Sequence, residues 1–170
     1  MPEQSLTERY MREDRKNMRG SARAFLDEWL AAMETQLHSW RTQHLPEDFP
    51  FDFTLTSLDA LEVEILTRFP TVEEFAAQEP DDFVDGAVRY YGETIIKNMP
   101  GRWSYQDIPD WEDSFNRVPM ILSNTPQEFL DSVIPRLVIK LLVQEREAGT
   151  LRESALIIQD AVDEAGDYEI

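Results

Sequence analysis

Between Asp82 and Met99 the apolar residues Val84, Val88, Tyr91, Ile95 and Met99 recur at steps of three or four. That is the period of one face of an α-helix. Phe83, Ala87 and Tyr90 flank the stripe, and Gly86 and Gly92 lie inside it. Each glycine costs about 1 kcal/mol relative to alanine in a helix interior. Their presence predicts that another backbone crosses closely there. Pro100-Gly101 stops the helix, and Trp103-Ser104-Tyr105 alternates as a strand. Helix, stop and strand together organise the middle of the protein. Asp85, Arg89, Glu93 and Lys97 follow at i,i+4 steps with alternating sign. They read as a solvated charge ladder, each pair contributing a few tenths of a kcal/mol.

The flanking segments supply more helix. Leu26, Leu30, Met33, Leu37 and Trp40 are spaced four, three, four and three apart, predicting one helix from Ser21 to about His44. Phe51 to Thr54 alternates apolar and polar and reads as a short strand. A helix capped by Thr56 or Ser57 follows and ends at Pro70. Thr71 to Glu74 has capping-box spacing and opens a short helix, broken at Glu79-Pro80. Val118 to Leu122 reads as a further strand, with Pro119 marking an edge or bulge. The apolar run from Phe129 to Leu142 must kink or split at Pro135. Thr150 to Glu153 is a second capping box, opening the last helix. The expected fold is a helix-dominated α+β domain over residues 21–170. It carries a small antiparallel sheet of about three strands, near 51–54, 102–106 and 118–122. Residues 1–20 read as a charged N-terminal arm, a candidate surface for homo-oligomer contacts.

Charge then limits the partners. The chain has 170 residues and a formal net charge of -18. Like charge opposes encounter with DNA, RNA or an anionic membrane, and favours a basic partner or simple solubility. Residues 45–115 hold 4 Lys/Arg against 17 Asp/Glu, a local balance of 4 minus 17, or -13. Residues 1–20 hold 5 against 4 and form a different surface. The absence of cysteine excludes disulfides, thiolate metal sites and a cysteine nucleophile. The start lacks the basic and apolar segments of a secretory signal, and the Val133–Val143 run is too short to span a bilayer. A cytoplasmic location is expected.

Catalytic patterns do not emerge. His38 and His44 are six residues apart, off a common helical face, and no HExxH, GxSxG or glycine-rich phosphate loop is present. The carboxylates between 107 and 113 lack the spacing and glycine of an EF-hand. The expectation is a protein that is not an enzyme and takes no cofactor or metal. What remains is Trp111 among Asp107, Asp110, Glu112 and Asp113. An aromatic anchor ringed by acids suits a basic protein partner, because the ring supplies contact area and the acids steer approach. The competing reading is that Trp111 folds back as a lid on the core.

The stretch from Gly86 through Arg89, Gly92 and Glu93, followed by Gly101-Arg102-Trp103, resembles a pattern in uncharacterised bacterial domains often found beside toxin–immunity systems. The likeness covers about residues 80–140, with Pro100 where a glycine is usual. Its motif is structural, with glycines for close packing and Trp103 for the core, and it transfers no catalytic residue. It implies an immunity- or antitoxin-like inhibitor of a basic bacterial toxin. An adaptor or secretion chaperone is the alternative, and a carboxylate-based enzyme the third.

Overall fold

The structure, a computed structural model, describes residues 2–77 and 81–168. The expected break at Glu79-Pro80 lies outside them. Among the described residues eight α-helices are formed: α1 Pro2–Asn17, α2 Gly20–Ala31, α3 Met33–His44, α4 Ser57–Arg68, α5 Val72–Ala77, α6 Asp82–Asn98, α7 Pro135–Glu145 and α8 Thr150–Tyr168. Three strands, β1 Gly101–Ser104, β2 Met120–Ser123 and β3 Ser132–Val133, make an antiparallel sheet in the order β1-β2-β3. The architecture is therefore α+β and helix-dominated, with a small three-stranded sheet.

At the centre is α6. Its N-terminus is capped by Asp81, whose Oδ1 accepts from Val84 N at 3.0 Å. Val84, Val88, Tyr91 and Ile95 are all buried, and the helix touches α3, α7, α8 and the first two strands. Both glycines are close-contact positions, but indole rings rather than a crossing backbone fill the space. A Cβ on Gly86 would lie 2.0 Å from Trp40 Cδ1, and one on Gly92 would lie 2.1 Å from Trp103 Cη2. Both rings are buried in the core. Gly92→Ala is expected to destabilise the fold by about 1–3 kcal/mol, since overpacking outweighs about 1 kcal/mol of helix propensity. A higher melting temperature for this variant would overturn that assignment.

The charge ladder is not solvated along its length. Arg89 is buried: its guanidinium lies 3.6 Å from the Trp29 ring centroid and Nη1 donates to Trp29 O at 2.8 Å. Burial lowers the Arg89 pKa. Glu93 accepts from Trp103 Nε1 at 2.9 Å. Lys97 stands over the Phe53 ring at 5.0 Å. Aromatic faces on neighbouring segments thus contact both cations, burying Arg89, while Lys97 and Asp85 stay exposed as the charge pattern predicts.

The 51–54 segment is not a strand. Phe53 has φ 56°, which breaks extended geometry, and Asp52 Oδ1 accepts from both Thr54 N and Thr54 Oγ1. The alternation serves another purpose. Phe51 and Phe53 pack on Tyr90, with ring centroids 5.1 and 4.8 Å away. The Tyr90 hydroxyl accepts from Phe53 N at 3.1 Å. The third strand is instead β3. Pro135 splits the apolar run into β3 and α7, standing in the first turn of α7, where its missing N–H costs nothing.

The sheet has two unlike faces. Trp103, Ile121 and Val133 are in register and point into the core. Arg102, Leu122 and Ser132 form the alternate row. The segment expected as a charged arm lies over the β1 end of that row as α1. Arg102, only 4% exposed, makes a bidentate pair with Asp14 at 2.6 and 2.9 Å and lies 4.9 Å from the Tyr10 ring centroid. Asn124 donates to Thr7 Oγ1 at 3.0 Å.

The predicted helix from Ser21 to His44 is interrupted at Ala32 (φ -88°, ψ -3°), which separates α2 from α3. The buried stripe still passes through the break, from Leu26 and Trp29 to Met33, Leu37 and Trp40.

Several helix ends are closed by distant side chains. The buried carboxylate of Glu62, on α4, accepts from Gly149 N and Leu151 N, both at 2.9 Å, at the start of α8. Thr150, expected to cap that helix through its own side chain, instead donates from Oγ1 to Glu147 O. Arg146, in the left-handed region at φ 55°, donates to Leu66, Phe69 and Pro70 carbonyls at the end of α4.

Candidate functional site

The 105–119 connection between β1 and β2 carries the carboxylate and tryptophan residues singled out by sequence. Asn116, which is buried, holds it together. Its Oδ1 accepts from Ile108 N at 2.9 Å, and Nδ2 donates to Ile108 O and Trp111 O at 2.9 and 2.7 Å. The loop base closes with Arg117 N donating to Gln106 O at 2.8 Å and an Asp107–Arg117 ion pair at 2.7 Å. Asp110 and Arg117 adopt φ of 62° and 57°, letting the chain reverse on either side of the ridge. Asparagine and aspartate bonding to nearby backbone is what orders such connections.

The five expected site residues take different positions. Asp107 is drawn back to the loop base. Hydrogen bonding to Ser21 and Arg117 holds its carboxyl below the usual carboxylate range. That lowered pKa stabilises the folded state at neutral pH. The contribution begins to fade near the unfolded aspartate value of about 3.9 and is lost as pH falls through the folded value. Asp110, Glu112 and Asp113 stand on the exposed ridge beside Trp111. One Asp113 oxygen accepts from Phe115 N at 2.9 Å.

Trp111 does not close over the core. It is 39% exposed, and Phe115 beside it is 45% exposed. The two rings border a cleft of about 290 Å³ whose floor includes Met120, Leu122 and Leu130. Phe115 also borders a second cleft of about 260 Å³, lined by Ile134, Leu137, Leu141 and Ile157. Beneath them Val118, Met120 and Ile134 form a small core of their own.

The resemblance residues lie elsewhere. Gly86, Arg89, Gly92, Gly101 and Trp103 are buried, and Glu93 is half-buried against Trp103. They shape the core rather than a site. Sequence reasoning overlooked Phe115 and Asn116. The cue for Asn116 was its type, because asparagine in a long polar connection commonly bonds backbone. Among the described residues, no three of His, Asp and Glu gather in a way that could hold a metal ion. Among them too, no helix is long and apolar enough to cross a membrane. Comparison with family models, curated proteins and solved structures finds no match for the chain.

The arrangement places two exposed aromatic rings, Trp111 and Phe115, beside the exposed carboxylates of Asp110, Glu112 and Asp113.

Proposed function

We propose that this chain is an acidic protein-binding protein acting in the cytoplasm, an immunity- or antitoxin-like inhibitor that covers a basic surface of a bacterial toxin. The observation carrying this reading is the exposed Trp111–Phe115 pair on an Asn116-braced loop, flanked by Asp110, Glu112 and Asp113 on a chain of net charge -18. Bracing lowers the entropy lost when a partner docks. The carboxylates attract a cationic surface from a distance set by the ionic strength.

The test is co-expression with a basic toxin domain encoded beside this gene, followed by binding kinetics on the purified pair. Rescue of growth is expected. Neutralising Asp110, Glu112 and Asp113 together should slow association, and added salt should have the same effect. Trp111→Ala should mainly speed dissociation, by the equivalent of about 2 kcal/mol or more. A toxin complex that tolerates both variants unchanged would remove this loop from the interface, and failure to rescue would remove the inhibitor reading.

A further inference from the structure

The two clefts that meet at Phe115 form an apolar track on the outside of the molecule. It runs from Trp111 past β3 to the surface between α7 and α8. Leu141 and Ile157, at its far end, are 44% and 37% exposed. Contiguous exposed apolar surface of this kind marks a contact with another molecule.

The surroundings select the occupant. Asp131 lines the first cleft, and Asp110, Glu112 and Asp113 adjoin Trp111. Glu153 and Asp160, exposed and one turn to either side of Ile157, continue the acidic border along α8. Lys140 lies beside Leu141 on the α7 side. A second copy would bring the same acidic border and a net charge of -18 against it, which opposes self-association. Strand addition is also poorly served. β3 has two residues, and Ser132 N already donates to Asp131 Oδ1 at 2.8 Å. Its edge offers little ladder to extend.

We infer that the track receives a basic amphipathic helix of the partner protein, whose apolar face seats side chains in both clefts while its cations meet the acidic border. The inference rests on the proposed protein-binding role and extends it from the loop to the α7–α8 surface.

A probe helix of about four turns, built of leucine and lysine with leucines at i, i+3 and i+4 spacing, tests it. The control has the same composition with that spacing scrambled. Titrations are followed by methyl NMR and by anisotropy of the labelled peptide, using the full chain. The amphipathic probe should shift the methyls of Leu137, Leu141 and Ile157, and bind at least about tenfold more tightly than the control. The double variant L141S/I157S should lose about tenfold or more in affinity. Both positions are exposed, and a thermal melt verifies that the variant folds. If it does not, the wild-type methyl shifts decide.

Shifts confined to the 107–115 loop, with both probes binding alike, would overturn the groove and leave the loop reading standing. No shift at either surface would overturn both. Concentration-dependent sedimentation of the wild type that L141S/I157S abolishes would assign the track to a second copy and overturn the proposal.

Discussion

Asp14→Ala is expected to lower the unfolding free energy by about 3–5 kcal/mol, the range for removing one partner of a buried ion pair. Arg102 is 4% exposed and after the change keeps its bonds to Ser123 O and Asn124 Oδ1 and its place over the Tyr10 ring. Asp14, the carboxylate it pairs with among the described residues, is then gone. Removing the other partner has a different outcome: Arg102→Met leaves Asp14 nearer solvent, 19% exposed, so the loss should be smaller. At about 2–4 °C per kcal/mol for a chain of this size, Asp14→Ala should lower the melting temperature by on the order of 10 °C. Calorimetry measures that. Limited proteolysis reports whether α1 comes off the sheet before the rest unfolds. An unchanged melting temperature would show that the Arg102–Asp14 pair does not hold α1.

Glu62→Ala is the second large effect. One carboxylate satisfies two backbone amides at the N-terminus of α8, Gly149 N and Leu151 N. Each buried donor left without a partner costs about 1–3 kcal/mol. The helix end also loses a negative charge worth about 0.3–1 kcal/mol. A total of about 2–7 kcal/mol is expected, read from denaturant midpoints at constant m-value. Glu62→Gln retains one acceptor oxygen and should recover roughly half of the loss. If Glu62→Gln were as stable as wild type, neither the second acceptor nor the charge would matter; if it were no more stable than Glu62→Ala, the acceptor oxygen that glutamine retains would contribute nothing.

These two positions also show where sequence reasoning stopped. Glu62 lies in an α4 helical pattern like any exposed glutamate. Its task is set by Gly149 and Leu151, which local pattern cannot bring near. Arg89 was misassigned for the same reason: i,i+4 spacing reveals a shared helix face, not what covers it, and Trp29 covers this one. By contrast, the packing role of Gly86 and Gly92 was legible, because glycine inside a strongly periodic helix needs a reason. The split at Pro135 was legible because proline lacks the N–H an interior helical turn requires. β3 escaped notice because two residues carry no alternation. The Phe51–Thr54 pattern misled because an aromatic collar around Tyr90 imitates a strand's period. At the candidate site, Trp111 and its acids could be read from local composition. The track could not, since Phe115, Leu141 and Ile157 come together only through the fold.

Six residues separate Gly86 from Gly92, which turns the two positions about 240° apart around the helix. Trp40 fills one recess from α3, and Trp103 fills the other from β1. A rod keyed on two sides can neither spin nor slide a turn along its axis without lifting an indole out of its slot. Rotation and ratcheting of one helix against another are the usual means by which a distant contact is relayed through a helical domain. With its central shaft keyed in this way, α6 is built to hold its place rather than to pass a mechanical signal from one side of the domain to the other.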